Sequence, residues 1–305
     1  MAKKAIIVPR GRDDEWPTGL FPKYSVAEVP FVGKTLVEYQ LDALARRGFT
    51  DVLVLDRDYS HSLHELLLGD GRHRWPLALD YRETHHLYSN ADEVLAANAE
   101  FTAGAETEVV IGMMFPRGDS WRAIVDVREF YEFNFELLAS PLEHTLEGYS
   151  GEEGEHIGAN VVIKTGRRLE KPVFLGDNSR LEYAVTLLDG AIVSRGAIVD
   201  TGTVLSRAII FPNTYVGRNA EFARKIVVGS RVIDPDSGVY VDLADAGLAS
   251  GVNVFDTPGG FSFLEWTAVA LLAIVFLPFY LLWFLVKIPY RALRAVFRRG
   301  GGRRG

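Results

Sequence analysis

Cysteine is absent from the 305-residue chain, and acidic residues are absent after Glu265. The lack of cysteine excludes disulfides and thiolate metal ligands, which fits a reducing compartment. The chain as a whole carries a formal charge of −7, so its acidic residues are concentrated in the part before that point. An acidic body repels phosphate backbones, and we therefore expect no nucleic-acid partner.

The remaining composition is typical of a globular protein. Hydrophobic residues make up 48% of the chain and charged residues 24%, and the length allows two domains. The N-terminal apolar run is too short for a signal peptide. We therefore expect the globular part to remain in the cytoplasm.

The first part of the chain alternates between strand and helix patterns. A strand pattern from residue 5 is followed by an amphipathic helix over 35–47, which Gly48 ends, and by a buried strand over 51–55. A second helical pattern, 90–101, precedes the strand 108–111. This βαβ order predicts a doubly wound α/β domain with a parallel sheet, in which ligands bind beyond the carboxyl ends of the strands.

The segment after the first strand resembles the opening of the sugar-phosphate nucleotidyltransferases, which join a sugar 1-phosphate to a nucleoside triphosphate. The matching residues are Pro22, Lys23, Pro30, Gly33, Lys34 and Glu38. The resemblance covers about residues 3–138 and implies a nucleotide- or phosphate-binding set of Gly11, Arg12 and Lys23. In that set Lys23 contacts phosphate and Arg12 stabilises the leaving pyrophosphate.

Two departures from the family pattern predict a loss of catalysis. The phosphate loop offers Gly11 and then three carboxylates at 13–15, which repel a polyphosphate. The family's metal-binding aspartate is replaced by Met113, a soft ligand that Mg²⁺ does not select. Asp119 and Asp126 are the substitute candidates, although Asp126 also suits a helix N-terminus. We therefore expect no cofactor, with Mg²⁺ bound only if the protein is active.

A six-residue period begins at Gly190. The apolar positions are Ile192, Ile198, Val204, Ile210, Val216, Phe222 and Val228, and the small positions are Gly190, Gly196, Gly202, Ala208, Thr214 and Ala220. This period predicts a solenoid of stacked coils, and it resembles the left-handed β-helix attached to many nucleotidyltransferases. Because the new pattern follows soon after residue 138, the family's sugar-binding half has no room. We expect a structural or oligomerising module.

Histidine provides two alternatives. A hexapeptide acyltransferase would use a histidine base, but His144 and His156 precede the clear repeats. The spacing of His61 with His64, and the adjacent pair at 85–86, would suit a metal site if further ligands were present. Solvated loop histidines are the simpler interpretation.

The end of the chain has the pattern of a membrane segment. Residues 266–286 carry no charge over about 21 residues, enough to cross a bilayer core. Pro278 favours a kink and hence a re-entrant hairpin, while a single spanning helix and a buried soluble helix are the alternatives. The segment is similar to the one that opens bacterial polyprenyl-phosphate sugar-phosphate transferases. A basic tail follows, which we expect to stay cytoplasmic and bind anionic lipid through Lys287, Arg291, Arg294, Arg298 and Arg299.

These patterns predict three regions: a truncated nucleotidyltransferase-like domain (1–150), a left-handed β-helix (151–255), and a membrane segment with a basic tail (256–305). The hypothesis is a catalytically degenerate protein of polysaccharide or glycolipid biosynthesis at the bacterial cytoplasmic membrane. It would scaffold or regulate a separate polyprenyl-phosphate sugar transferase, or bind a nucleotide sugar, and it would form a homo-oligomer through the β-helix. An active sugar-1-phosphate nucleotidyltransferase and a ligand-free structural membrane protein are the alternatives.

Overall fold

The computed structural model describes residues 2–10, 16–57, 60–69, 74–139 and 154–252. The chain divides into two compact units, 1–253 and 254–305. The second unit contains the predicted membrane segment and basic tail, which lie outside the described residues. Within the described ranges, no helix is both long enough and apolar enough to cross a membrane.

The N-terminal layer contains a four-stranded sheet in the order β3-β2-β1-β4, and every neighbouring pair is parallel. Its strands are β1 (Lys3–Val8), β2 (Asp51–Asp56), β3 (Ala78–Glu83) and β4 (Glu106–Ile111). The predicted parallel α/β sheet is therefore confirmed. β1 is buried on both faces because Ala5 and Ile7 pack in one apolar cluster while Ile6 and Val8 pack in another.

The α-helices of the described residues are α1 (Trp16–Leu20), α2 (Leu36–Arg46), α3 (His61–Leu68), α4 (Ala91–Ala97), α5 (Ala99–Thr102) and α6 (Val127–Ala139). Helices α2 and α3 pack on one face of this sheet and α4 on the other, whereas α1 and α6 pack in the core shared with the second layer. α2 begins at a capping box formed by Thr35 and Glu38, and it ends before Gly48, whose φ is +78°. The single helix predicted over 90–101 is interrupted at Asn98, whose side-chain amide donates to the Val94 carbonyl at 2.9 Å.

A two-stranded hairpin joins the sheet to α6. Its strands are β5 (Met114–Arg117) and β6 (Ser120–Ala123), which pair antiparallel. The chain turns sharply before the hairpin, because Gly112 has φ of +84° and its N–H donates to the Val8 carbonyl at 2.8 Å. This turn directs the following residues away from the parallel sheet and into the interior.

The second layer consists of short strands stacked in two sheets of mixed direction, one of nine strands and one of five. The strands are β7 (Glu155–Ile157), β8 (Val162–Ile163), β9 (Arg168–Leu169), β10 (Val173–Leu175), β11 (Arg180–Leu181), β12 (Thr186–Val193), β13 (Ile198–Val199), β14 (Val204–Ile210), β15 (Thr214–Val216), β16 (Glu221–Ala223), β17 (Ile226–Val228), β18 (Arg231–Ile233), β19 (Tyr240–Asp242) and β20 (Ala249–Gly251). We call this layer the strand stacks.

Parallel partners in the strand stacks recur after a nearly constant length of chain. Val173 pairs with Ala191, 18 residues later, whereas Ile209 pairs with Ile226, 17 residues later. One corner of the turn is formed by two residues with positive φ, Asp189 and Gly190, in the longer turn, and by a single such residue, Arg207 or Arg224, in the two later turns. Those two turns are therefore one residue shorter.

The predicted six-residue period is present, but its register was wrong at the start. The positions that fill the interior of the stacks are Val193, Val199, Leu205, Ile210, Val216, Phe222 and Val227. The step shortens to five after Leu205 and after Phe222. The predicted inward residues before position 210 are therefore displaced by one, and the prediction for Val228 was wrong as well, because Val227 fills the interior there while Val228 packs in the core shared with the N-terminal layer. Ile192, for example, faces the N-terminal layer instead.

The two layers share one apolar core. Phe21 of the N-terminal layer lies 4.7 Å from Phe211 of the strand stacks and 5.5 Å from Phe130 of α6, measured between ring centroids. All three rings belong to one buried cluster that also includes Phe174 and Ile209 on the outer face of the stacks. Among the described residues, the aromatic side chains that are fully buried therefore lie at the junction between the layers.

Ion pairs reinforce the same junction on α6. The Glu132 carboxylate accepts from Arg207 at 2.8 Å and from Arg224 at 3.3 Å. Burial acts to raise the pKa of Glu132, but the hydrogen bonds and charges of Arg207 and Arg224 together outweigh it and lower that pKa. The neighbouring Tyr131 hydroxyl donates to the Arg207 carbonyl at 2.5 Å. The two shortened corners are thus the points at which the stacks hold α6.

Candidate functional site

Lys23 lies on an exposed turn after α1. Within the described part of the chain its amine has no hydrogen bond or ion pair. It borders a recess of about 280 Å³ lined mainly by polar side chains, including Ser25 and Glu28. A β-carbon added to Gly251 would lie 3.6 Å from Lys23 Nζ, so the amine approaches the end of the strand stacks. Gly11 and Arg12, the other members of the predicted set, lie outside the described residues.

Two further residues of the matching motif hold α2 in place. Lys34 Nζ contacts Asp42 Oδ2 at 2.6 Å on the same helix. Glu38 accepts from the Thr35 N–H at 2.7 Å and also contacts the Arg74 guanidinium. The helix entry of the motif therefore has a structural explanation that is independent of any ligand.

Met113 occupies the position that the resemblance assigns to a metal-binding aspartate. It is 2% exposed and belongs to the apolar core shared by the two layers. The turn at Gly112 places this side chain among rings such as Phe115 rather than in a polar recess. This position therefore contributes packing to the interior.

The substitute carboxylates are not brought together. Asp126 Oδ1 accepts from the Glu129 N–H at 2.7 Å, which is the hydrogen bond of a helix N-cap at α6. The capping role predicted for Asp126 is thus observed. Asp119 is exposed at the tip of the β5–β6 hairpin, and β6 separates it from Asp126. Among the described residues no group of three or more His, Asp or Glu side chains is arranged to hold a metal ion.

One histidine of each predicted pair lies near an aromatic ring. His64 of α3 meets the edge of Tyr81 at 5.9 Å, and His86 meets Tyr88 at 4.7 Å. The lysine and arginines predicted to contact lipid, at positions 287–299, lie outside the described residues.

A second recess, which sequence reasoning missed, lies between the entry of α2 and the strand stacks. We call it the junction cavity, and its volume is about 190 Å³. It is lined by Pro30, Phe31, Gly33, Lys34, Thr35, Glu38, Arg74, Phe174, Asp177, Ser194, Arg195 and Pro212. The aromatic rings are apolar walls, and the charged residues come from both layers.

The charged groups of the junction cavity differ in how they are engaged. Lys34 and Arg74 are paired with carboxylates, as described above. Asp177 uses one oxygen to accept from the Ala159 N–H at 2.7 Å. In the described ranges, the Arg195 guanidinium and the Ser194 hydroxyl have no hydrogen-bond or ion-pair partner. The cavity therefore presents a cation and a hydroxyl that are free to contact a ligand.

Tyr24 lies between the two recesses. Its ring lines the Lys23 recess, and its hydroxyl donates to the carbonyl of Pro212, which lines the junction cavity, at 3.4 Å. Burial and the nearby Glu28 carboxylate raise the pKa of Tyr24 to about 12 against the opposing effect of Arg195. The phenol is therefore a neutral donor at physiological pH.

Compared with known proteins, the chain matches no family model and no curated protein.

Proposed function

We propose that this chain is a catalytically degenerate relative of the sugar-phosphate nucleotidyltransferases that acts at the cytoplasmic membrane in polysaccharide or glycolipid assembly. It scaffolds or regulates a separate polyprenyl-phosphate sugar transferase, or it binds a nucleotide sugar without converting it. In this proposal the globular unit lies on the cytoplasmic side, and residues 256–305 attach it to anionic lipid.

The burial of Met113 is the observation that best supports the proposed loss of catalysis. Nucleotidyl transfer builds charge on phosphoryl oxygens, which a divalent ion normally neutralises. A 2%-exposed thioether in an aromatic core offers no ligand for such an ion. Asp126 is engaged as a helix cap, so it supports the stability of α6 instead of replacing the missing carboxylate.

The finer fold assignment belongs to the same proposal. The strand order β3-β2-β1-β4, with helices on both faces, favours a doubly wound domain. Turns of 17 or 18 residues, each adding a strand to parallel stacks, favour a left-handed β-helix. A close junction between these two modules suits a platform that presents one fixed surface to a partner.

An active sugar-1-phosphate nucleotidyltransferase is the second candidate, and the position of Lys23 favours it. An exposed lysine beside a polar recess, with no hydrogen bond or ion pair to any other described residue, is suited to contact phosphate. In that case Arg12 would stabilise the leaving pyrophosphate, and Asp119 would have to bind Mg²⁺.

Pyrophosphate release separates the two candidates. The purified full-length chain is incubated with Mg²⁺, each nucleoside triphosphate and a panel of sugar 1-phosphates. We expect no release above that of the Lys23→Ala variant. Turnover that disappears on chelation or in Lys23→Ala would establish the active enzyme and refute the degenerate one.

Ligand binding without turnover is tested by thermal shift. A nucleotide sugar present at 100 times its dissociation constant should stabilise the fold by about 2.7 kcal/mol. Lys23→Ala should abolish the shift, whereas Arg167→Ala, which removes an exposed cation on the strand stacks, should retain it. The absence of any shift would favour the scaffold or the ligand-free structural protein.

The membrane arrangement is tested by labelling. Because the chain contains no cysteine, a single cysteine added at the C-terminus gives an unambiguous signal. We expect protection from reagents applied on the periplasmic side. Labelling from that side would contradict a re-entrant segment with both ends in the cytoplasm.

A further inference from the structure

β19 is an exposed edge strand of the strand stacks. It is the last strand of the nine-stranded sheet, and no strand of the described residues pairs with its outer side. Val239 and Val241 are 61% and 59% exposed, and Tyr240 between them is exposed as well. Unpaired backbone groups beside apolar side chains form a template for another strand. The edge strands β3 and β4 of the parallel sheet, by contrast, carry several charged side chains each, which discourage such pairing.

The hydrogen bonds on the inner side of β19 determine which backbone groups face outward. The Val239 carbonyl accepts and the Leu243 N–H donates, each at 2.8 Å, to residues that flank β18. Because hydrogen-bonded pairs alternate along antiparallel strands, Val241 directs its backbone groups toward β18 as well. The N–H and C=O groups of Tyr240 and Asp242 therefore point away from the sheet.

Two copies of β19 match when they run antiparallel about a two-fold axis at Val241. Tyr240 of each copy then lies opposite Asp242 of the other, and their outward groups form four backbone hydrogen bonds. On one face Val241 meets Val241 and Val239 meets Leu243, so apolar side chains lie opposite apolar side chains. A register centred on Asp242 would place two carboxylates opposite each other, and one centred on Tyr240 would pair Asp242 with a turn residue.

Charge fits the same arrangement on the other face of the strand. The Arg231 guanidinium donates to both oxygens of Asp242, at 2.7 and 2.9 Å, and lies 3.8 Å from the centroid of the Tyr240 ring. In the two-fold pair each Asp242 gains the second copy's Tyr240 as a neighbour, together with the arginine that covers that ring. Each carboxylate thus lies between two cations. This self-complementarity favours a second copy of the chain over an unrelated strand as the occupant.

We propose that β19 forms a symmetric dimer in which the nine-stranded sheets of two copies join edge to edge. The contact involves residues 239–243 of each copy, far fewer than the about 20–30 residues a side of a standard interface. The dimer therefore dissociates on dilution. The inference names a surface for the homo-oligomer expected from the repeats, and it does not rest on the proposed function.

Cysteine cross-linking tests the register. Because the chain contains no cysteine, Val241→Cys introduces one thiol on each copy. Opposite residues outside the hydrogen-bonded pairs have Cα atoms about 4.5 Å apart, within the range of about 4.4–6.8 Å for a disulfide. Mild oxidation should convert most of the Val241→Cys protein into a covalent dimer on a non-reducing gel.

Val239→Cys is the matched control, since it is equally exposed on the same strand and the same face. Its two thiols would lie four residues apart along the paired strands, about 14 Å, which is beyond the reach of a disulfide. The control should therefore remain largely monomeric on the gel. Cross-linking of Val239→Cys as fast as that of Val241→Cys would overturn the proposed register.

The mass of the full-length chain in detergent provides the second test. Val241→Lys should halve the protein mass measured by light scattering at the same concentration, because it places two ammonium groups opposite each other. Tyr183→Lys, at another exposed apolar position of the strand stacks, should leave the mass unchanged. Both positions are exposed, so far-UV circular dichroism should show an intact fold. A parent chain that is monomeric at tens of micromolar, or a mass that Val241→Lys does not reduce, would overturn the dimer.

Discussion

Gly196 is a corner residue at which the stacked coils leave no room for a side chain. Its φ is +68°, and a β-carbon there would lie 2.3 Å from Asn213 Oδ1 in the next turn of chain. We predict that Gly196→Ala destabilises the protein by about 2 kcal/mol, because it adds a steric conflict to an unfavourable φ. The melting temperature should fall by about 4–8 °C.

Gly48→Ala is the matched control for this substitution. Gly48 also has positive φ, +78°, but nothing lies within 4 Å of an added β-carbon. The Gly48→Ala variant should therefore lose only about 1 kcal/mol of unfolding free energy, which is the cost of placing alanine in this backbone conformation. Equal losses at both positions would show that contact with Asn213 contributes nothing.

The lowered pKa of Asp200 implies that the stability of the protein depends on pH. Burial tends to raise its pKa, but hydrogen bonds from the Thr201 N–H at 2.6 Å, the Tyr215 hydroxyl at 2.8 Å and Arg218 lower it from 3.8 to about 2. A carboxylate whose pKa is lowered by folding stabilises the folded state at pH values above its ordinary pKa of 3.8. This contribution is lost as the pH falls from 3.8 to about 2. Urea unfolding between pH 5 and pH 2 measures it.

Asp200→Asn provides the comparison. The variant should be less stable than the parent at pH 5, and the difference should shrink as the pH approaches 2, because the parent carboxylate becomes protonated there. A difference that stays constant over this range would contradict the role assigned to the ionised group.

At the scale of single elements, α6 depends on its N-cap. Asp126→Ala removes the acceptor for the Glu129 N–H and should cost about 1 kcal/mol, whereas Asp126→Asn retains an oxygen acceptor and should cost much less. Chemical denaturation of the two variants measures the difference. Asp119→Ala, at the exposed hairpin tip, should change stability by less than about 0.5 kcal/mol. Equal effects of Asp126→Ala and Asp126→Asn would argue against the cap.

The sequence predicted elements best where local chemistry defines their ends. α2 was predicted from its apolar spacing and from Gly48, and both are observed. The break at Asn98 was missed because a side chain that competes for a helix carbonyl leaves no mark on the apolar pattern. The register of the stacks was wrong because single-residue corners at Arg207 and Arg224 shorten an otherwise regular period.

The candidate sites, too, could be predicted only where their residues are neighbours in the sequence. Lys23 was found because it lies in a contiguous motif. The junction cavity was not, because its lining comes from residues 30–38, from Arg74 and from 174–212, which only the packed layers bring together. One available signal was the charged residue Arg195 within the repeats, at the position of Asp177 one turn earlier.

At the scale of the whole molecule, the shared core predicts that the two layers unfold together. Phe211 is fully buried and contacts Phe21, so Phe211→Ala should cost about 3–5 kcal/mol. Hydrogen exchange should accelerate in β2 as well as in β12, because each layer depends on the other for burial of its apolar face.

Val162→Ala is the control for this experiment. Val162 belongs to the first turn of the strand stacks and is 45% exposed, so its truncation should leave exchange in both strands nearly unchanged. Acceleration confined to the strand stacks in Phe211→Ala would mean that the layers are energetically independent.

The position of the aromatic residues at the junction limits how these two modules can be exchanged in engineering or in evolution. A chimera that grafts the strand stacks onto a different α/β domain would leave Phe174, Phe211 and Ile209 facing solvent. A functional graft would have to carry α6 and residues 16–32 with it. The natural unit of transplantation is therefore the repeat array together with the surface that covers it.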